Sequence, residues 1–148
     1  MNIQSIDWQK IELLPVIVQD AATQEVLMMA YMNEEALKLS LSTKIAHYYS
    51  RSKQRLWKKG ESSGHVQHIE RFLLDCDNDT LLIMVQQEGV ACHTGRKSCF
   101  FTDLESNQII SEPIINSLST YGIIDELYHI IQERKNSDPE SSWTAKLL

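Results

Sequence analysis

Five apolar residues stand in a row at Leu81-Leu82-Ile83-Met84-Val85, with no polar position among them to face water. A strand of that kind is buried on both faces, so it belongs inside a sheet with other elements covering it. The chain's chemistry gathers at its two ends. Before it comes Asp75-Cys76-Asp77-Asn78-Asp79, and after it comes Cys92-His93-Thr94-Gly95-Arg96-Lys97-Ser98-Cys99. All three cysteines of the protein fall in this window.

Thiolates are soft ligands that favour zinc, whereas clustered carboxylates are hard ligands that favour magnesium or calcium. Fifteen residues separate Cys76 from Cys92 and six separate Cys92 from Cys99, so the short C-x2-4-C knuckle of a closed structural zinc site is absent. Three thiolates with a fourth position left to water fit a catalytic zinc instead. His93 adjoins Cys92 and would need a strained turn to reach the same ion, so it reads as an acid–base group beside the metal. Three ordinary buried thiols are the competing reading. If residues 75–79 are extended, Asp75, Asp77 and Asp79 share one face and Cys76 takes the other. Two metal sites, or one site completed by a second subunit, follow from that geometry. A plain hairpin turn at Asp77-Asn78-Asp79 competes with it.

The 148 residues fit one domain of ordinary size, and 43% hydrophobic with 23% charged residues is enough to bury a core. A net charge of −6 argues against nucleic acid as a general partner. No eighteen-residue apolar run exists, and the N-terminus lacks a basic then apolar leader, so neither membrane nor export is expected. An odd number of cysteines in such a chain points to a reducing compartment and to metal or thiol chemistry in preference to disulfides.

The remaining pattern predicts an α+β domain, a mostly antiparallel sheet with one main helix, over residues 1–103. Strands are expected at 13–20, 26–32, 46–50, 66–74 and 80–87, with a last short one at 98–101. Asn33 is placed to cap a helix running to about Ser42, with Glu34 and Glu35 in its first turn. Residues 51–65 hold five of the fourteen basic residues, two glycines, several hydroxyls and Trp57. That composition reads as a mobile loop gripping a phosphate, with Trp57 as a face for a purine; a solvated basic loop is the alternative. Residues 104–118 read as a polar linker. Beyond it, Ile123, Ile124, Leu127, Ile130 and Ile131 give an amphipathic C-terminal helix over 120–135, and a second helix starts near Trp143. Such a tail has to pack on the main domain, another chain or a partner.

Several blocks occur in an order that resembles one family: Val18-Gln19-Asp20, Met32-Asn33-Glu34-Glu35-Ala36, Ser50-Arg51-Ser52, Trp57-Lys58-Lys59-Gly60, Ser63-Gly64-His65-Val66-Gln67, Asp75-Cys76-Asp77 and Ala91-Cys92-His93-Thr94-Gly95. Over about residues 13–101 the chain resembles phosphoribosyl-AMP cyclohydrolase, a histidine-biosynthesis enzyme. The resemblance implies a cytoplasmic homodimer that hydrolyses the adenine N1–C6 bond of 1-(5-phosphoribosyl)-AMP. It implies zinc on Cys76, Cys92 and Cys99, with Cys76 coming from the partner chain, and magnesium on Asp75, Asp77 and Asp79. Ring opening by such a zinc site needs a general base and acid, a role assigned to His93 with His65 as second choice. The implied substrate-binding set is Arg51, Ser52, Trp57, Lys58, Lys59, Gly60, Ser62, Ser63, Gly64, Thr94 and Arg96. Ser62 stands where threonine is expected and keeps the hydroxyl.

Residues 119–148 resemble the opening of phosphoribosyl-ATP pyrophosphohydrolase, the domain that follows the cyclohydrolase in bifunctional relatives. The match stops before that domain's metal-binding helices, so the expectation is a truncated bifunctional chain without pyrophosphohydrolase activity. Two other classes stay open on the residues alone. A zinc-stabilised binding module would have no open coordination position, and a redox-sensing thiol protein would ignore chelators.

Overall fold

A computed structural model of the chain describes residues 3–115. The helix expected at 120–135 and the whole of 119–148 lie outside the described residues. Strands β1 (Leu14–Asp20) and β2 (Val26–Met32) form a hairpin, and helix α1 (Glu34–Thr43) follows directly. Then come β3 (His47–Ser50), β4 (Arg55–Lys58), β5 (Gln67–Leu74), β6 (Leu81–Gln87) and a small hairpin of β7 (Thr102–Asp103) and β8 (Gln108–Ile109). The main sheet has the order β2-β1-β6-β5, with β1 and β6 parallel and the other pairs antiparallel. Among the described residues the fold is α+β, with one α-helix and mostly antiparallel pairing.

Local chemistry explains the boundaries. Asp20 ends β1 by accepting from the amides of Ala22 at 2.8 Å and Thr23 at 2.9 Å, which closes the turn into β2. Asn33 caps α1, its Oδ1 accepting from the Ala36 amide at 2.8 Å. Lys44 ends the helix in the left-handed conformation, with its amide on the Ser40 carbonyl. Val16, Val18, Leu81, Ile83 and Val85 on one face of the sheet are buried with Ala36 and Leu37 of α1. Each such side chain contributes roughly 1.5–3 kcal/mol on burial.

Three expectations are corrected. The run Leu81–Val85 is not buried on both faces, because Leu82 and Met84 are only half-buried. They belong to an outer apolar row in which Met29 pairs Ile17, Ile17 pairs Leu82 and Leu82 pairs Leu73, across all four strands. Ile17, Met29 and Leu73 stay 38%, 41% and 37% exposed, so nothing among the described residues covers this face. Second, the basic segment 51–65 is not all loop. Arg55–Lys58 pairs with β3, Tyr48 against Trp57 and Tyr49 against Leu56. Third, residues 98–101 form no strand. Their backbone is pinned beside β2 through Ser98 Oγ to the Val26 carbonyl at 2.8 Å and the Cys99 amide to the Leu27 carbonyl at 2.7 Å. The final pairing falls later, β7 at the end of the expected domain with β8 inside what composition marks as linker.

Candidate active site

The segment after β6 is a tight loop built on its own backbone. The Cys92 amide bonds the Arg96 carbonyl at 3.2 Å, and the Gly95 amide bonds the Cys92 carbonyl at 3.1 Å. With Ser98 and Cys99 pinned to β2, this folds the loop back and brings Cys92 and Cys99 together. Cys92 is buried and Cys99 exposed. Partial desolvation pushes the Cys99 thiol up to about 11, with Cys92 beside it adding to the rise and Lys59 opposing it. Cys92 Sγ is also 3.0 Å from Thr94 Oγ1. His93 is exposed on the same loop.

Cys76 is elsewhere. It is exposed in the hairpin that precedes β6, whereas Cys92 and Cys99 follow the strand's other end. The seven residues of β6 alone span roughly 20 Å at about 3.3 Å per residue. One chain therefore brings two thiols together and holds the third a strand's length away.

Residues 75–80 form a hairpin turn, so alternation along a strand is not what groups the carboxylates. The Asp75 amide meets the Thr80 carbonyl at 3.0 Å, and Asn78 sits at φ 60°. Asp75 Oδ1 accepts from the Asp79 amide at 3.0 Å and the Thr80 amide at 3.1 Å. The turn nevertheless converges Asp75, Asp77 and Asp79, whose candidate ligand atoms lie within 4.8 Å of one another. Desolvation is the largest single influence on Asp75 and raises it, but hydrogen bonds with Asp79, Thr80 and Asp77 together outweigh it and leave the carboxyl lowered. Asp79 is raised by its hydrogen bonds with Asp77 and Asp75 and by their charges.

The basic segment encloses a cleft of about 310 Å³ lined by Ser50, Lys53, Arg55, Trp57, Lys58, Lys59, Gly60, Glu61, Ser62 and Ser63. An Arg55–Glu61 ion pair ties its rim, and the Gly64 amide closes onto the Gly60 carbonyl at 2.8 Å. Gly60, at φ +83°, lets the turn lie directly on the next segment: a Cβ there would stand 2.6 Å from His65 C and Val66 N. Of the substrate set expected from sequence, Trp57, Lys58, Lys59, Gly60, Ser62 and Ser63 line this cleft. Arg51, Ser52, Gly64, Thr94 and Arg96 are not among its lining. The Arg51 guanidinium stacks on Tyr31 at 4.3 Å, and Arg96 stacks on Phe101 at 4.0 Å while its Nε donates to the Ser111 carbonyl at 2.8 Å. Ser52 Oγ is 3.4 Å from Ser50 Oγ.

Sequence reasoning missed what mounts His65. Its carbonyl accepts from Gln87 Nε2 at 3.1 Å, and its amide donates to Ser63 Oγ at 3.2 Å. Its ring lies against Gly89, where a Cβ would come within 2.4 Å of Cδ2. Behind Gln87 stands wholly buried Gln67, which receives the Tyr48 hydroxyl and donates to Gln87 Oε1 at 2.8 Å. Burial without a charge partner raises the Tyr48 phenol far above its ordinary range, so it stays a neutral donor. The available signal was a glutamine on the core-facing side of β5, in register with Ile69. Lys59 joins the two halves of the site: its backbone amide bonds the Ala46 carbonyl at 3.0 Å, and its Nζ donates to the Ala91 carbonyl at 2.8 Å, next to Cys92.

The family model described as phosphoribosyl-AMP cyclohydrolase matches residues 28–101. A phosphoribosyl-AMP cyclohydrolase from Nitrosospira multiformis is 51% identical over 123 residues, which is 81% of this chain and 95% of the relative. One from Methanoregula boonei is 56% identical over 110 residues, 74% of this chain and 89% of the relative. A histidine biosynthesis bifunctional protein HisIE from Wolinella succinogenes is 56% identical over 148 residues, 99% of this chain and 65% of the relative. The chain belongs to the phosphoribosyl-AMP cyclohydrolase family. It spans about 65% of the length of the bifunctional relatives from Wolinella succinogenes and Helicobacter hepaticus. Among the described residues, no helix is long and apolar enough to cross a membrane.

Proposed function

We propose that this protein is a cytoplasmic, zinc-dependent homodimer that opens the adenine ring of 1-(5-phosphoribosyl)-AMP in histidine biosynthesis. The observation that carries the reading is the pairing of Cys92 with Cys99 beside the basic cleft, in a chain of this family. Two adjacent thiols that give up their protons fit a soft ion. The third ligand is Cys76 of the partner subunit, because the length of β6 keeps a chain's own Cys76 away from the pair. The bare apolar row Met29–Ile17–Leu82–Leu73 is a surface that association would cover.

Zinc, when bound, supplies Lewis acidity and an activated water. The remaining work falls to the chain's own residues. Water oxygen bonds to C6, the N1–C6 bond breaks, and N1 leaves carrying a proton. His93, exposed on the thiol loop, takes the water's proton and returns it to N1. His65, fixed by Gln87 and Gly89, is the alternative proton carrier. Lys58, Ser62 and Ser63 in the cleft bind phosphate, with Trp57 as the wall against which a purine stacks. Asp75, Asp77 and Asp79 hold magnesium and orient the substrate's ribose and phosphates.

The decisive experiment is metal analysis of the purified protein read beside turnover. Zinc present, activity abolished by a chelator and restored by zinc support the reading; full turnover and zinc content in Cys92→Ser would sink it. His93→Ala should lower kcat by roughly 10²–10⁴-fold with zinc retained. Lost zinc in that variant would make His93 a ligand.

A further inference from the structure

We infer that Lys59 serves the thiol pair and not the substrate phosphate: its ammonium balances the charge Cys92 and Cys99 carry as thiolates and holds their loop against the basic cleft. The inference rests on the zinc reading given above. Lys59 starts from a fixed point, its backbone amide bonded to the Ala46 carbonyl at 3.0 Å. Its side chain then crosses from the cleft wall to the thiol loop and donates to the Ala91 carbonyl at 2.8 Å, in a part-buried contact. Ala91 is buried and directly precedes buried Cys92. The ammonium lies 6.0 Å from the Trp57 ring centroid.

Two thiolates side by side repel, and desolvation raises the cost of each charge. A cation held next to them offsets both effects, and the Lys59 ammonium, bonded to the carbonyl of the residue before Cys92, is held there. Three thiolates around a divalent ion also leave the cluster one negative charge in excess, which one lysine neutralises. Both lysines line the cleft, and the bond to the Ala91 carbonyl is what sets Lys59 apart from Lys58. Lys59 is a positioning residue, acting on substrate only through the thiol loop.

The test measures two affinities in the full chain, zinc by chelator competition and AMP by calorimetry, with circular dichroism as the folding control. Lys59→Met should loosen zinc by roughly tenfold or more, as loss of a partner behind the ligands does, and loosen it by a larger factor than it weakens AMP. Lys59→Arg should restore most of the zinc affinity. Lys58→Met should do the converse, weakening AMP and sparing zinc. Zinc affinity in Lys59→Met equal to that of the unaltered protein overturns the inference, as does weakened AMP binding with zinc unchanged. Should Lys59→Met fail to fold, Lys59→Gln decides, because it keeps a donor for Ala91 without the charge: looser zinc supports the inference and unchanged zinc overturns it. An unaltered protein that binds no zinc would refute the zinc reading itself, before any variant is compared.

Discussion

Gln67 donates through Nε2 to Oε1 of Gln87 at 2.8 Å, and this bond sets the direction of a buried chain from the Tyr48 hydroxyl to the His65 carbonyl. A carbonyl can only accept, so Gln87 must point its nitrogen at His65 and its oxygen at Gln67. Gln67 must then present its own oxygen to Tyr48. Gln67→Leu would strand the Tyr48 hydroxyl and Gln87 Oε1 together, each costing about 1–3 kcal/mol. The urea midpoint should fall with the slope unchanged; an unshifted midpoint would mean water satisfies both groups.

Gly89 is the second support of that histidine. At φ +62°, with its missing Cβ directed at the imidazole, it meets two objections to any side chain. Gly89→Ala should lose about 1–2 kcal/mol from the left-handed backbone alone. It should also move the His65 ring, so turnover at a temperature where the variant is folded should drop. Retained stability and turnover would show that the loop relaxes freely.

Cysteines divided between subunits make a complementation prediction. Cys76→Ser and Cys92→Ser should each be inactive alone. Unfolded and refolded together in equal amounts, they form mixed dimers in which one site has lost both residues and the other is intact. Random pairing then restores about a quarter of the unaltered activity. Recovery of none would place all three thiols within one chain's own site or outside the chemistry.

Lys97 of the thiol loop reaches Asp20 at 3.7 Å and Glu25 at 3.3 Å, tying that loop to the β1–β2 turn. Amide bonds from Thr23 lead the causes that lower the Asp20 carboxyl below its ordinary 3.8, ahead of Ala22 and the Lys97 charge. A depressed folded-state value contributes stability above the unfolded value and loses it as pH falls through the folded one. Asp20→Asn should therefore be less stable than the unaltered protein near neutrality, with the gap closing as pH drops below 3.8. Urea melts at several pH values would check this; a gap that widens in acid would refute it.

The hairpin β1–β2, the cap at Asn33 and helix α1 were legible in the sequence because their signals are local: β-branched runs, a polar turn and an asparagine before two glutamates. β4 was not. Arg55–Lys58 carries little apolar pattern, and its place is set by pairing with Tyr48 and Tyr49. The metal candidates were readable as residue types, and their grouping was only half so. Asp75, Asp77 and Asp79 converge through a turn and not along a strand. The bond of Lys59 to the thiol loop was not legible, because the carbonyl it reaches belongs to Ala91, far along the chain. The Tyr48–Gln67–Gln87 relay was invisible for the same reason, since each of its members sits on a different strand.

The parallel pairing of Val16 with Leu81 has a consequence for how the molecule comes into being. Translation delivers β1 early, and its inner neighbour only when most of the domain has left the ribosome. Until then one flank of the nascent hairpin offers bare amides and carbonyls, a template for wrong partners or a target for chaperones. Closing that long connection is costly in loop entropy, so the last strand to join is also the slow one.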